Sequence, residues 1–315
     1  MHLKDTTTGE IMKALSDLLH HVGGTSSLAL NLVALITEDE REEVEQAASE
    51  AAQEHPYRLI LIIPRDTEAE EPRIDAEVTL GERLGAAQAI ILRLDGPAAT
   101  HLTSIVLPML ASDVPVVTWW LLDPVRYGLE QELRTFADRR ITYSAQATDP
   151  VESLYRRALT YTPGDTDICW TRITLWRSLI ASTFDGAPTE VRAVDIKADR
   201  ADPSAQLMAA WLHTRLGVVP RIIDTKVERN SEHLPAIAAV AFTMANGETM
   251  EIERQAEDGE TVLRQAGLPK QRQLLQGRTL GQLLAEELRH IDPDAAYKRV
   301  LDTFREHYEP EAVSS

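Results

Sequence analysis

Uninterrupted apolar segments of strand length recur through the first half of the chain, with helical or polar sequence between them. They lie at Ser27–Ile36, Leu59–Ile63, Gln88–Leu94 and Val114–Trp120. Because such a strand presents apolar side chains on both faces, both faces must be covered, as in a parallel sheet flanked by helices. The pattern predicts the α/β class: a doubly wound, mostly parallel, Rossmann-like sheet with ligands expected at the carboxyl ends of its strands.

The sequence between these segments completes the prediction for the first half. Apolar residues at helical spacing indicate helices, and shorter β-like runs indicate further strands. The predicted helices are Glu38–Glu54, Pro97–Ala111 and Gly128–Ala137, and the further strands are Ile74–Leu80 and Arg140–Tyr143.

The second half carries explicit helix-start signals. In Asp149-Pro150, Asp202-Pro203 and Asp292-Pro293 the aspartate can cap a helix whose first residue is the proline. Thr279 and Gln282 have the spacing of a capping box, which predicts one more helix start.

A block of β-like sequence lies among these helices. It predicts an antiparallel meander, with Asn246-Gly247 and Asp258-Gly259 as hairpin turns. Its strands are expected at Pro220–Ile223, Ile237–Thr243, Thr249–Glu253, Thr261–Arg264 and Gln271–Leu275. The predicted organisation is therefore a Rossmann-like domain over residues 1–164 and an α+β domain over residues 165–315.

The charge of the chain limits its partners. Its 315 residues carry a net charge of −18, and residues 1–164 hold 14 basic and 26 acidic side chains. Nucleic acids and anionic membranes both need a basic surface, so neither is expected as a partner. The acidic stretches at 38–54 and 66–77 are either a solvated surface or a docking face for a basic partner. The single cysteine, Cys169, is typical of a cytoplasmic protein.

Motifs for catalysis or cofactor binding are missing from the sequence. It contains no G-x-G-x-x-G, no Walker A sequence, no G-x-S-x-G and no histidine cluster with metal-ligand spacing. We therefore expect no catalytic residues, no metal and no cofactor. The alternative that stays open is an enzyme or sensor with a degenerate site for a nucleotide or sugar phosphate at the carboxyl edge of the sheet.

The segment Tyr161–Phe184 is the most informative part of the sequence. A Pro-Gly turn is followed by a predicted helix that Asp165 or Thr166 can cap. Helical spacing puts Cys169 on an apolar face and Arg172 inside the apolar arc, where a guanidinium needs a partner.

Two interpretations of this helix stay open. It is either a core helix with Arg172 as an internal strut, or a contact surface made of Arg172, Trp170 and Arg177. Tryptophan and arginine are the residues most enriched at binding hot spots. Asp165 and Asp167 fit helix capping better than acid–base or Mg²⁺ chemistry.

A pair of tryptophans, Trp119 and Trp120, ends one of the predicted strands. Neighbouring side chains of a strand face opposite sides of the sheet, so both can be core residues if both faces are covered. They also stand at a carboxyl end, where such folds place ligand or partner sites. Core packing and a contact site are therefore both open.

Several stretches resemble the OpcA family of glucose-6-phosphate dehydrogenase assembly proteins, in its shorter actinobacterial type. The most specific is YTPGDTDICWTRITLWR at 161–177. Others are EHPYRLILII at 54–63, VPVVTWW at 114–120, RRITYSA at 139–145 and LAEELRHIDPDAAYKRVL at 284–301. Together these stretches span nearly the whole chain.

The resemblance implies a non-catalytic protein that binds glucose-6-phosphate dehydrogenase and promotes its assembly or activity, in the cytoplasm that the single cysteine already indicates. That enzyme begins the oxidative pentose phosphate pathway and makes NADPH. Thiol regulation known for some members is not carried over, since Cys169 has no second cysteine. The candidate partner-binding residues are Trp119, Trp120, Thr162, Pro163, Gly164, Asp165, Asp167, Trp170, Arg172 and Arg177.

Overall fold

The computed structural model describes residues 1–22, 28–80, 88–121, 128–184, 190–227, 233–255, 260–265 and 269–307. The strands found there are β1 (His2–Leu3), β2 (Leu30–Leu35), β3 (Tyr57–Pro64), β4 (Arg73–Leu80), β5 (Gln88–Asp95), β6 (Val116–Trp120), β7 (Arg139–Thr142), β8 (Asp165–Asp167), β9 (Val191–Ala198), β10 (Arg221–Asp224), β11 (Ile237–Met244), β12 (Thr249–Arg254), β13 (Glu260–Gln265) and β14 (Gln271–Leu274). The α-helices are α1 (Thr8–Val22), α2 (Arg41–Ala51), α3 (Leu102–Val106), α4 (Glu130–Phe136), α5 (Pro150–Leu159), α6 (Ile168–Arg172), α7 (Thr174–Thr183), α8 (Pro203–Leu216), α9 (Leu280–Leu288) and α10 (Ala295–His307). Within these ranges no helix has the length and apolarity that crossing a membrane requires.

The chain divides into two compact units that are interleaved in sequence. Unit 1 comprises Met1–Thr142, Pro163–Thr166 and Thr279–Pro293, and unit 2 comprises Tyr143–Thr162, Asp167–Arg278 and Asp294–Ser315. Two crossings, at 162/163 and 166/167, flank the predicted boundary at 164/165, and residues 143–162, predicted in the first domain, lie in unit 2. The sequence did not indicate that the late segment carrying α9 belongs to unit 1.

Unit 1 contains an eight-stranded sheet in the order β1-β4-β5-β3-β2-β6-β7-β8. The central strands β5, β3, β2, β6 and β7 pair in parallel, and β4 pairs antiparallel with β5. In chain order, the parallel strands follow the 3-2-1-4-5 arrangement of a doubly wound fold. Every side chain of β2 and β6 is buried, as their uninterrupted apolarity predicts. The predicted fold class of the first half is confirmed.

Two parts of unit 1 differ from the sequence prediction. The predicted helix over Pro97–Ala111 is broken into a 3₁₀ turn at Gly96–Ala99, the short α3, and a second 3₁₀ turn at Leu107–Met109. Pro108 lies inside the predicted helix and lacks the N–H that a continuous helix needs there, which explains the second break. The sequence prediction also missed α1, whose Ile11 and Leu15 lie in the core.

Unit 2 contains a six-stranded sheet in the order β10-β9-β11-β12-β13-β14. Strands β11 to β14 form the antiparallel meander predicted for them, and β9 pairs antiparallel with β11. The strand predicted at Pro220–Ile223 does not belong to the meander, because as β10 it pairs in parallel with β9. The sequence prediction missed β9, because its alternation of apolar and polar residues is interrupted at Arg192 and Ala193, which are both exposed. The turn predicted at Asp258-Gly259 lies outside the described residues.

The helix-start signals are confirmed except for one. Asp149 caps α5, Asp202 caps α8, and Thr279 forms the capping box with Gln282 at the start of α9. The last helix does not start at Asp292-Pro293. It begins at Ala295, where the Asp294 carboxylate accepts the first free backbone amides.

The continuous helix predicted after Gly164 is replaced by three elements. Asp165–Asp167 is the strand β8, and the helical part is divided at Ile173 into α6 and α7. The sequence predicted Asp165 or Thr166 as the helix cap, and this prediction is wrong. The cap of α6 is Asp167, whose side chain accepts a hydrogen bond from the amide of Cys169.

Candidate functional site around the Thr162–Arg177 segment

The structure buries most of the residues predicted to contact a partner. Thr162 and Pro163 are exposed, and Asp165 and Arg177 are half-buried. The remaining six are buried: Trp119, Trp120, Gly164, Asp167, Trp170 and Arg172. What each buried side chain bonds to therefore decides which interpretation of the segment holds.

In unit 1, Arg140 of β7 binds the Pro-Gly turn and the strand after it. Its guanidinium donates to Asp165, to the Pro163 carbonyl at 2.5 Å and to the Ala137 carbonyl at 2.8 Å. Gly164 has a φ of +96°, and a Cβ at this position would collide with the Asp138 carbonyl. The turn thus needs glycine for both its conformation and its close packing.

The two tryptophans of β6 lie beside the topological switch point between β2 and β6, where doubly wound sheets place their ligand sites. Trp119 is fully buried and Trp120 is 3% exposed. The Arg134 guanidinium lies 5.5 Å from the centre of the Trp120 ring and pairs with Asp165 at 3.2 Å. Their burial favours core packing over direct contact with a partner.

The helix after the first parallel strand has an acidic N-terminus. The Glu40 carboxylate accepts the Thr37 amide at 2.7 Å, and Glu42 and Glu43 lie in the first turn of α2. This helix end is where Rossmann-like folds bind a pyrophosphate. Here the carboxylates of the first turn repel an anion, and the Glu40 carboxylate occupies the amide of the preceding loop residue Thr37.

In unit 2, Arg172 is an internal strut, as one of the two interpretations predicted. Its guanidinium meets both carboxylate oxygens of Asp202, at 3.3 and 3.2 Å. It also donates to the carbonyls of His233, at 2.9 Å, and Leu234. Burial lowers the pKa of Arg172, but the Asp202 carboxylate outweighs it, so that the pKa lies above its usual range. The side chain stays charged and joins α6, the start of α8 and the loop before β11.

Asp167 and Cys169 are both completely buried in unit 2. One Asp167 oxygen accepts the Cys169 amide, and the other accepts the Ser144 amide at 3.0 Å and its hydroxyl at 2.6 Å. Burial, together with the nearby Asp167 carboxylate, raises the pKa of Cys169 well above its usual range. The thiol is therefore held in its unreactive protonated form.

Trp170 is also a core residue of unit 2 rather than an exposed contact, because only 3% of it is accessible. Its indole N–H donates to the Asp294 carboxylate at 2.8 Å. The Arg177 guanidinium lies 3.4 Å from the centre of its ring. Burial raises the pKa of Asp294, but bonds from the Tyr297 amide and the Trp170 indole outweigh it and leave that pKa below its usual range.

Three side-chain links connect sequence stretches that carry the resemblance to OpcA. Within unit 1, Arg139 of β7 forms a buried ion pair with Glu287 of α9, and Arg140 pairs with Asp165. Within unit 2, Trp170 bonds Asp294. The distinctive residues of the three stretches thus hold each other in place.

The sequence reasoning missed Glu287, Asp202 and Asp294 as members of this network. The sequence signals for these three residues were an acidic residue inside the apolar pattern of α9, which is Glu287, and two aspartates at helix starts, which are Asp202 and Asp294. Neither signal names the partner. Across the described ranges, no group of three or more His, Cys, Asp or Glu side chains is arranged to hold a metal ion.

Comparison with protein families decides what the chain is related to. The profile described as the N-terminal domain of a glucose-6-phosphate dehydrogenase subunit matches residues 48–159, and the profile of the C-terminal domain matches residues 163–301. The chain belongs to the OpcA family of glucose-6-phosphate dehydrogenase subunits. The resemblance in the sequence is thereby confirmed, and the two OpcA profiles meet beside the Pro163-Gly164 turn.

Solved structures similar to this OpcA-family chain include two of KijD10, a 3-ketoreductase from Actinomadura kijaniata, in complex with NADP and TDP-benzene. One is 11% identical with a TM-score of 0.47, and the other, an open conformation, is 9% identical with a TM-score of 0.43. In both, the match covers 88% of this chain and 95% of the other. At these values the similarity says nothing about what this chain binds. Comparison with curated protein sequences finds no match.

Proposed function

We propose that this chain is a non-catalytic, cytoplasmic subunit that binds glucose-6-phosphate dehydrogenase and shifts it towards its active assembled form. The observation that carries the proposal is the match of both OpcA domains, in order, over residues 48–301. The consequence of such binding would be a higher flux into the oxidative pentose phosphate pathway. A protein of this kind activates only if it binds the active form more tightly than the inactive one.

The acidic start of α2 supports this proposal over a nucleotide or sugar-phosphate site. In doubly wound folds the anion sits on free backbone amides at this helix end. Here Glu40 stands at the N-cap position, and Glu42 and Glu43 lie in the first turn, so carboxylates surround those amides. A phosphate would meet negative charge where it needs hydrogen-bond donors.

The Thr162–Arg177 segment would contribute to dehydrogenase binding indirectly, by fixing the structure on which exposed residues stand. Its buried links hold β8 and α6 in fixed positions, so the exposed residues around them are preorganised. A preorganised surface loses little conformational entropy on binding. Thr162 and Pro163 are the candidates from the sequence that remain exposed, and they stay proposed contacts.

The test combines enzyme kinetics with sizing. Purified glucose-6-phosphate dehydrogenase from the same organism is assayed by NADPH formation over a range of glucose 6-phosphate, with and without this chain. We expect a higher rate or a lower apparent KM, and co-elution of the two proteins with a shift of the dehydrogenase to a larger species.

This chain alone, incubated with glucose 6-phosphate and NADP, is the control for catalysis, and it should form no NADPH. Unchanged kinetics together with separate elution would refute the proposed function. Product formed by the chain alone would instead establish an enzyme.

A further inference from the structure

Unit 2 contains an open groove of about 770 Å³ that the Thr162–Arg177 segment does not line. Its walls are the start of α5, the loop before α8, β10 with the residues preceding it, and the end of α10. The floor includes the buried side chains of Val151, Ala210 and Phe304. At the rim, Val219 is 62% exposed, which makes it one of the most accessible large apolar residues of the described chain.

The lining of the groove is strongly acidic. Its charged side chains are four carboxylates, Asp149, Glu152, Asp199 and Asp224, against the Arg200 guanidinium, and the imidazoles of His213 and His307 also line it. The Arg200 guanidinium is turned towards β10, where it donates to the Ile222 carbonyl at 2.8 Å.

Three of the carboxylates are held in place by the backbone. One oxygen of Asp149 accepts the Glu152 amide, and one oxygen of Asp224 accepts the Arg200 amide at 3.0 Å. Asp199 accepts the amide of Ala201 in the same way. The carboxylates are therefore oriented before anything binds, which lowers the entropic cost of binding.

We propose that this groove docks a cationic, amphipathic segment of glucose-6-phosphate dehydrogenase, an inference that rests on the proposed function. Lysine or arginine side chains of the segment would meet the four carboxylates, and its apolar residues would cover Val219 and the floor. Charge complementarity selects this occupant, because paired rim charges speed association and fix the register of the two surfaces.

The same charges disfavour two other occupants, residues 308–315 and a second copy of the chain. Its own last residues, 308–315, contain Glu309 and Glu311 and no basic residue. A second copy of the chain brings the same acidic groove and a net charge of −18. Either would place carboxylates against carboxylates.

The test neutralises the groove without removing its hydrogen bonds. The variant Asp149→Asn, Glu152→Gln, Asp224→Asn keeps side-chain oxygens that can accept the backbone amides, and asparagine is as good a helix cap as aspartate. The matched control, Asp17→Asn, Glu190→Gln, Glu248→Gln, makes the same charge change on exposed residues outside the groove and outside the acidic stretches 38–54 and 66–77. Binding to purified glucose-6-phosphate dehydrogenase is measured by titration at two salt concentrations.

We expect the groove variant to bind about tenfold more weakly, with a smaller salt dependence, and the control to bind like the unaltered chain. Equal weakening in both variants, or full affinity in the groove variant, would overturn the groove as the docking site. Failure of the unaltered chain to bind would instead overturn the proposed function itself.

Two further measurements address the other occupants and the fold. Tighter binding after deletion of residues 308–315 would identify the tail as the occupant and overturn the proposal. Self-association that the groove variant abolishes would do the same for a second copy. The melting temperature of the groove variant should stay within a degree or two of the unaltered chain, and Val219→Ser, which alters only an exposed rim residue, should also weaken binding.

Discussion

Replacing Arg172 with alanine should cost unit 2 about 3–5 kcal/mol of its free energy of unfolding. The substitution removes the counter-ion of Asp202, a residue that is only 7% exposed. It also leaves the carbonyls of His233 and Leu234 without the hydrogen bonds that Arg172 donates. Breaking a buried ion pair by removing one partner typically costs this much, because a charge stays buried without compensation. Two backbone amides continue to bond Asp202, which argues for the lower part of the range.

Calorimetric melting measures this effect directly. For a unit of this size, 1 kcal/mol corresponds to about 2–4 °C in melting temperature, so Arg172→Ala should lower the unit 2 transition by about 6–20 °C. The matched control is Arg221→Ala in the same unit. The Arg221 side chain is 72% exposed and pairs with Asp195 at 2.8 Å, so its loss should cost well under 1 kcal/mol.

Two outcomes would refute this reasoning. If Arg172→Ala melted within about 2 °C of the unaltered chain, the ion pair with Asp202 would not hold unit 2 together. If Arg221→Ala lowered the transition by as much as Arg172→Ala, burial would not be what distinguishes the two pairs. The melting temperature of Arg172→Lys should lie between those of the unaltered chain and Arg172→Ala, because lysine keeps the charge but loses the bidentate contact with Asp202.

Three further substitutions test other parts of the structure. Trp170→Ala should lower the free energy of unfolding, measured in urea, by about 3–5 kcal/mol, as expected for a buried aromatic residue. A loss below about 1 kcal/mol would contradict the burial of Trp170. Gly164→Ala should cost more than Gly217→Ala, because both glycines have positive φ but only the first would place its Cβ against a carbonyl; equal melting temperatures would contradict this. The pKa of Asp75 is about 2 against an ordinary 3.8, because burial opposes ionisation but a backbone amide and two arginines favour it more strongly. Asp75→Asn should therefore cost about 1 kcal/mol between pH 5 and 7, where the aspartate is charged in both states, and the difference should shrink as pH falls from about 4 towards 2; a difference independent of pH would show that charge is not its source.

The features that the sequence predicted correctly are local ones. The strands of unit 1 follow from uninterrupted apolar runs, and Asp149, Asp202 and Thr279 follow from the need of helix ends for acceptors. The burial of Arg172 could be predicted because helical periodicity alone places it inside an apolar arc.

The features that the sequence did not predict depend on distant partners. Nothing near Arg139 indicates Glu287, which lies 148 residues later, and nothing near Trp170 indicates Asp294. The partnership between Arg172 and Asp202 is set by how α6 meets the start of α8, which no periodicity encodes. For the same reason Trp170 was open to interpretation as a surface contact, since spacing gives the face of a helix but not what covers it.

The interleaving of the two units has a consequence for how the protein is made. The ribosome synthesises most of unit 2 before it reaches Thr279–Pro293, the segment that completes unit 1. Until that point, a nascent chain holds Arg139 without Glu287, and a buried guanidinium without its carboxylate strongly disfavours the native packing. Unit 1, although it begins before unit 2 along the chain, therefore cannot be completed until most of unit 2 has been synthesised.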